Sequence, residues 1–228
     1  MKLLVLGRGK TGALVAEIGR ERGHEVEVLC AAENPEGAAL TVERLKNVDV
    51  VVDFTTPAAV VANIERSVAA QARIVVGTTG WYEHLPRVRD LVRTQGGAVL
   101  WASNFSVGVN IFFDALRAAA AALRYGYAGN ILERHHAQKK DAPSGTAVTI
   151  QRTLEEAGGA RLEITSLREG DVVGQHVVVL DSAHDTMMFT HDAKSRRGFA
   201  EGAVRAAEWL AGRTGFYELK DVLASGGR

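Results

Sequence analysis

A chain of 228 residues carrying 27 Lys+Arg against 27 Asp+Glu is formally neutral, and its 46% hydrophobic content is that of a globular protein, long enough for one large domain or two modest ones. Neutrality without a basic block argues against nucleic acid or an anionic membrane as the main partner, and no apolar run reaches the length of a membrane span. The single cysteine, Cys30, excludes an internal disulfide, and with no leader ahead of the first apolar run the expectation is a cytoplasmic protein.

Residues 3–6 form an apolar run too short for a helix and lead directly into Gly7-Arg8-Gly9-Lys10-Thr11-Gly12. A helical pattern follows, with Leu14, Val15 and Ile18 on one face. This is the G-x-G-x-x-G spacing of a dinucleotide-binding turn: Gly7 permits the bend, Gly9 lets backbone approach a pyrophosphate, and Gly12 lets the helix pack on the strand. A second strand is expected at residues 25–29, with Glu33 beyond it, about twenty positions after the glycines, where an acidic side chain takes ribose hydroxyls. Gly9-Lys10-Thr11 does not end a G-x-x-x-x-G-K-[ST] phosphate loop, because Leu4 occupies the position of its first glycine.

Residues 48–54 are almost continuously apolar, the pattern of a parallel strand covered on both faces. A helix over 58–70, a strand at 73–76, a helix over 83–94 and a strand at 98–101 continue the alternation. Each strand ends in small polar residues: Thr55-Thr56, Gly77-Thr78-Thr79-Gly80 and Ser103-Asn104. Open α/β sheets bind ligands beyond these carboxyl ends, although turn chemistry alone also favours such residues there. The reading is an α/β protein with an N-terminal Rossmann-type, doubly wound parallel sheet.

The rhythm then changes. An alanine-rich helix at 111–123 precedes a strand at 130–135 with Glu133 and His135 on one face and Arg134 and His136 on the other. A helix over 144–158 and strands at 162–168, 174–181 and 185–193 suggest a smaller α+β domain with a mixed or antiparallel sheet, one face on helices and the other open to water or another subunit. An amphipathic helix at 199–210 returns to cover the first domain. The domains are therefore expected at 1–104 with 197–228, and at 105–196.

Most of the chemistry is concentrated in Glu133-Arg134-His135-His136-Ala137-Gln138-Lys139-Lys140-Asp141-Ala142-Pro143-Ser144-Gly145-Thr146. Histidine exchanges protons near neutral pH, lysine supplies a compact cation, and the loop opening a helix offers unpaired N–H groups to an anion. Alone, such a run would equally suit a solvated surface. Ser144 is not a nucleophile elbow, since Ala142 and Thr146 fill the flanking glycine positions. His24, His84, His184 and His191 lack metal-ligand spacing, and no metal site is expected.

Taken together, these strings resemble the dihydrodipicolinate reductase family. Glu133-Arg134-His135-His136 with Lys139 and Asp141-Ala142-Pro143-Ser144-Gly145-Thr146-Ala147 is similar to its signature. Further likeness lies in Phe54-Thr55, Gly77-Thr78-Thr79-Gly80, the 104–110 segment, Arg168-Glu169-Gly170 with Gly174 and His176, and Ser195-Arg196 with Phe199-Ala200. The glycine loop is one residue shorter than the family's common form. The resemblance implies NADH- or NADPH-dependent reduction of 4-hydroxy-tetrahydrodipicolinate, through its dehydrated form, to tetrahydrodipicolinate in diaminopimelate and lysine biosynthesis.

By that likeness the first domain binds the dinucleotide and the second binds a small cyclic dicarboxylate and forms a homotetramer. His135 would be the proton donor. Lys139 would hold a carboxylate and stabilise developing negative charge, and His136, Gly145 and Thr146 would bind carboxylates. The cofactor would meet Gly7, Gly9, Lys10, Thr11, Gly12, Glu33, Phe54, Thr55, Gly77, Thr78, Thr79, Ser103, Asn104 and Phe105. Lys10 falls where many relatives carry an arginine near a 2′-phosphate, whereas Glu33 favours NADH, so use of both cofactors with NADH preferred is expected. A related NAD-dependent amino- or imino-acid dehydrogenase and a non-catalytic dinucleotide sensor are the alternatives. The intact His135-His136-x-x-Lys139 string argues against both.

Overall fold

The computed structural model describes residues 1–226, so residues 227 and 228 of the expected first domain lie outside the described residues. In chain order the first segment holds β1 (Lys2–Leu6), α1 (Lys10–Glu21), β2 (Glu25–Leu29), α2 (Val42–Leu45), β3 (Val50–Asp53), α3 (Pro57–Ala69), β4 (Arg73–Val76), α4 (Leu85–Gln95) and β5 (Ala98–Trp101). The second holds α5 (Val107–Ala119), β6 (Ala128–His135), α6 (Gly145–Gly158), β7 (Glu163–Arg168), β8 (Gln175–Asp181) and β9 (Thr186–Asp192). The third adds α7 (Arg197–Leu210), β10 (Gly215–Glu218) and α8 (Leu219–Ala224). Two compact units result: Met1–Ser106 together with the chain from Arg197 onward, and Val107–Arg196. Among the described residues no helix is long and apolar enough to cross a membrane.

The first unit is a parallel sheet of order β10-β5-β4-β3-β1-β2. Its inner strands are buried on both sides, and strand alternation divides their side chains between two cores. Leu3, Val5, Val50, Val52, Val75 and Leu100 face α1, α7 and α8. Leu4, Leu6, Val51, Ile74, Val76 and Val99 face α2, α3 and α4. Each such aliphatic side chain contributes roughly 1.5–3 kcal/mol on burial. The helix expected at 199–210 does return to this unit, as α7. Its buried face, Ala200, Ala203, Val204, Ala206, Ala207 and Leu210, is built largely of alanine and brings the helix close to the sheet.

In the second unit the order is β7-β6-β8-β9, with β6 and β7 parallel and the other pairs antiparallel. The parallel pair requires a crossover, which α6 supplies. Ile131, Val178 and Leu180 pack with Phe112, Leu116, Ile150 and Leu154 of α5 and α6. The opposite face carries half-buried Leu132, Val177 and Val179 and exposed Leu167 and Met188.

Element ends differ from expectation by one or two residues in most places, with larger corrections elsewhere. The helix expected at 111–123 starts at Val107, becomes 3-10 from Ala120 and ends at Tyr125, because Gly126 takes a left-handed conformation that stops it. The start at 83 splits into a 3-10 turn at Tyr82–His84 and α4 proper. β10 and α8 were not expected at all; β10 is only four residues, half-buried throughout, and lacks an alternating signal. Glu33, expected beyond the strand at 25–29, lies in a 3-10 turn after β2.

Gly202 on α7 faces the Phe105 carbonyl, and a β-carbon there would lie 1.8 Å from that oxygen. Glycine-to-alanine inside an ordinary helix gains about 1 kcal/mol. Here the sign reverses: Gly202→Ala is expected to destabilise by ~1–3 kcal/mol, read as a lower urea midpoint.

Candidate active site

The glycine turn of the first unit is shaped by close backbone contacts. Gly7 has φ +101°, and a β-carbon on it would meet the Phe54 carbonyl oxygen at 2.3 Å. One on Gly12 would meet the Gly7 oxygen at 2.1 Å, whereas Gly9, the N-cap of α1, has open space before it. Backbone N–H groups at the start of α1 are thus accessible to an anion, as a bound pyrophosphate requires. Two cavities adjoin the turn. One of about 260 Å³ is lined by Gly9 to Gly12, Phe54, Thr55 and Gly77 to Thr79. The other, about 360 Å³, lies among Gly7, Arg8, Leu29, Cys30, Asn34 and Asn63. This cradle fits a dinucleotide.

Beneath it lies Asp53, at the end of β3, with no exposed surface. Its Oδ1 accepts the Thr55 N–H (2.9 Å), the Thr55 hydroxyl (2.8 Å) and the Thr78 hydroxyl (2.6 Å). Its Oδ2 accepts the Asn63 amide at 2.7 Å. Asn34 donates in turn to Asn63 at 2.9 Å. The carboxylate therefore ties together two strand ends that line the cradle. Asp53 and Asn63 were not singled out from sequence; the one signal was an acidic residue closing an apolar run.

Glu33 accepts the Cys30 N–H at 2.7 Å and pairs with Arg8 at 3.1 Å. The Cys30 backbone bond first, then the guanidinium, hold its carboxyl below the usual range. Arg8, also not foreseen, is thus the cation beside Glu33, while Lys10 stands exposed and lines the smaller cavity. Ser103, Asn104 and Phe105 line neither cavity. Phe105 is buried, its ring 6.1 Å from that of Phe54.

In the second unit, strand alternation places Ile131, Glu133 and His135 on the helix-covered face of β6, so the strand passes from core to polar cluster. Register sets Glu133 between Ser166 of β7 and His176 of β8, and His135 beside Arg168. Glu133 accepts a hydrogen bond from His135 Nδ1 and another from Arg168 at 2.7 Å. Arg168 also donates to the carbonyls of Asp141 and Leu167. The His176 ring lies edge-on to His135 at 5.3 Å, and its Nε2 is 3.2 Å from Ser144 Oγ. Ser144 caps α6 by accepting the Ala147 N–H at 3.2 Å. That leaves the N–H groups of Gly145 and Thr146 directed outward from the helix start.

Lys139 is held by Asp141 at 2.7 and 2.9 Å. His136 lies 3.4 Å from Arg196. Gly174 lies against His135, where a β-carbon would come within 3.0 Å of Nε2. The cluster thus joins His135 to Glu133, Arg168, Gly174, His176 and Ser144; of these only His135 had been given a chemical role from sequence. Their contacts span β6, β7, β8 and α6, a proximity no local pattern encodes. Donor atoms of Glu133, His135 and His176 lie within 4.8 Å of one another. Arg168 already occupies the carboxylate, so the group reads as a hydrogen-bonded acid–base cluster rather than a ligand set.

Charges in the cluster are shifted by burial and by each other. Burial pushes Glu133 up, but hydrogen bonds from Arg168, Ser166 and His135 outweigh it and leave the carboxyl below its ordinary value. His135 is lowered, chiefly by burial, with the Glu133 bond opposing. Asp141 is lowered by the Lys139 ammonium. His176 falls to about 4, mainly through burial and then through the charge of His135. It is therefore neutral at pH 7.

His176 makes stability depend on acid. The unfolded chain takes up a proton near pH ~6.5 that the folded chain refuses until about 4. Stability present above the unfolded value is therefore lost as pH falls through that window. Relative to His176→Gln, the wild type should lose up to roughly 3 kcal/mol between pH 7 and 4, measured by urea unfolding at both values.

A family model described as dihydrodipicolinate reductase, N-terminus, matches residues 1–105, and one described as dihydrodipicolinate reductase, C-terminus, matches residues 108–223. The 4-hydroxy-tetrahydrodipicolinate reductase of Christiangramia forsetii is 37% identical over 239 residues, covering 98% of this chain and 98% of that protein. The enzyme of the same name from Ralstonia nicotianae is 38% identical over 200 residues, covering 78% of this chain and 75% of its own. A structure described as dipicolinate-bound dihydrodipicolinate reductase from Paenisporosarcina sp. aligns with TM-score 0.78 at 24% identity, over 97% of this chain and 99% of that one. That last likeness bears on fold alone.

Proposed function

The chain belongs to the dihydrodipicolinate reductase family, and from that membership we propose how its residues divide the work of the reaction. The protein is an oxidoreductase that reduces 4-hydroxy-tetrahydrodipicolinate, through its dehydrated form, to tetrahydrodipicolinate, the reductive step of diaminopimelate and lysine biosynthesis. A nicotinamide dinucleotide, when bound, supplies the hydride. Gly7, Gly9, Lys10, Thr11 and Gly12 hold its pyrophosphate at the start of α1. Thr55, Gly77, Thr78 and Thr79 line the adjoining cavity, and Phe54 backs the Gly7 turn through its carbonyl. Ser103 and Asn104, beyond the end of β5 and outside both cavities, would meet the cofactor from that side, with buried Phe105 supporting Phe54 through their ring contact.

A cyclic dicarboxylate brings two negative charges, and the loop after β6 offers them matched donors. The N–H groups of Gly145 and Thr146 take one carboxylate at the start of α6, with His136 beside it. Lys139 has three N–H donors, so its pairing with Asp141 leaves capacity for the substrate. Hydride addition to the ring leaves charge on the conjugated nitrogen system, which the Lys139 ammonium stabilises. His135 then gives its proton to the carbon made basic by that addition. The observation that carries this reading is the placement of His135 at the end of β6: buried and held at Nδ1, with its other nitrogen against the bare α-carbon of Gly174.

Both cofactors serve, with NADH preferred: the ionised Glu33 suits ribose hydroxyls and opposes a 2′-phosphate, while Arg8 and Lys10 temper that repulsion. The apolar, half-open face of the second sheet supports assembly as a homotetramer. A sensor that had abandoned catalysis would have no need of the His135 and Lys139 pair, and a dehydrogenase for another amino acid would have no need of this carboxylate-binding loop.

Oxidation of NADH or NADPH at 340 nm, with substrate generated in situ by the preceding synthase, tests the assignment. His135→Gln is expected to lower kcat by ~10²–10⁴-fold, and Lys139→Ala to cost ~2.7–4 kcal/mol of transition-state stabilisation, with NADH binding retained in both. Absence of turnover by a folded, NADH-binding wild type would sink the proposal. Light scattering of the same preparation should give the mass of four chains, and a monomer would refute the assembly.

A further inference from the structure

Glu133 has no exposed surface and no contact with solvent through which it could serve as an acid or base itself. Its two oxygens are nonetheless divided between partners of different kinds, Oε2 on His135 Nδ1 and Oε1 on Arg168. We propose that Glu133, braced by Arg168, is the positioning residue for His135: it fixes the imidazole with its proton on Nδ1 and so presents Nε2 as the nitrogen that serves the substrate. This rests on the reading of His135 as the acid.

An ionised carboxylate only accepts hydrogen bonds, so the nitrogen facing Glu133 must carry a hydrogen in every protonation state of the ring. The neutral ring is then the Nδ1–H form, and the proton that comes and goes is on Nε2. Among the described residues Nε2 makes no hydrogen bond. Gly174 opposes it without a side chain, and even a methyl group there would stand 3.0 Å away. The ring is held on its flank by the edge-on His176, neutral and anchored to Ser144. Rotation that would exchange the two nitrogens is thereby opposed on both sides.

Arg168 keeps the arrangement from collapsing. A lone carboxylate at zero exposure would take a proton rather than remain charged. The guanidinium prevents that, and its bonds to the Asp141 and Leu167 carbonyls at 2.6 and 2.7 Å hold it in place. The groups facing His135 are Glu133 on its own strand, Arg168 on β7, His176 on β8 and Lys139 in the loop after β6. Glu133 favours the imidazolium, while burial, Lys139 and Arg168 oppose it. A dianionic substrate offsets the last two charges, so His135 binds its proton more tightly in the complex than in the free enzyme. The alkaline limb of kcat should accordingly lie above that of kcat/KM.

The test is Glu133→Gln beside wild type and His135→Gln, assayed over pH 6–10 with NADH binding followed by fluorescence. The expected result is a fall in kcat of about 10²-fold with little change in substrate KM or NADH binding. The alkaline limb of kcat should move to lower pH, because the imidazolium has lost its counter-charge. A uniform loss with an unmoved limb, or wild-type kcat, overturns the positioning role. If the variant does not fold, ¹⁵N-histidine NMR of the wild type decides: the neutral His135 resonance, identified by its loss in His135→Gln, must show the Nδ1–H pattern. An Nε2–H pattern overturns the proposal without any variant. Full turnover by His135→Gln would instead remove the acid assignment, and the positioning role with it.

Discussion

Glu133 sits where water cannot reach it, so its charge has to be carried by donors of the protein alone. Arg168, Ser166 and His135 supply them, and each comes from a position fixed by sheet register rather than by the local loop. Satisfying one buried carboxylate therefore fixes how β6 and β7 meet at their ends, which ring nitrogen of His135 is engaged, and where the Asp141 carbonyl lies. A buried charge without such partners would cost several kcal/mol. The demand is strict enough to make the end of this sheet rigid.

The first unit answers the same demand with different residues. Asp53 is as deeply buried and takes hydroxyl, amide and backbone donors instead of a guanidinium. Its effect is to draw the ends of β3 and β4 together under the cradle, while Gly7 and Gly12 let backbone approach backbone within distances no side chain allows. Both candidate binding regions thus stand on a saturated carboxylate at a strand end. In each, the carboxylate is taken up by donors of the protein itself, which leaves the backbone N–H groups at the adjoining helix starts for a ligand.

How much of this was readable beforehand follows from range. The β1 run, the glycine turn and the doubly apolar strands were legible because burial on both faces leaves an unbroken local signature. Lys139, Gly145 and Thr146 were visible as a compact polar string. By contrast, the bond between Glu133 and Arg168 joins residues 35 positions apart, and the Asp53–Thr78 bond joins residues 25 apart. Gly174 gains meaning only from the histidine it faces. Glu133 was visible on the same strand face as His135, yet nothing in spacing could say that an arginine from another strand would meet it. β10 stayed hidden for a different reason: four half-buried residues carry no period to read.

The first unit is assembled from both ends of the chain, with the second inserted between them. During synthesis the order matters. Val107 to Arg196 leaves the ribosome as one continuous stretch with everything its core requires, and domains generally fold as units when complete. The earlier segment by then has five parallel strands but only one of its two layers in full. The alanine face of α7 and the edge strand β10 are still to come. A nascent chain at that stage would present Val52, Val75 and Leu100 to solvent on the part of the sheet face that α7 later covers, so the part of the protein made first is the part finished last.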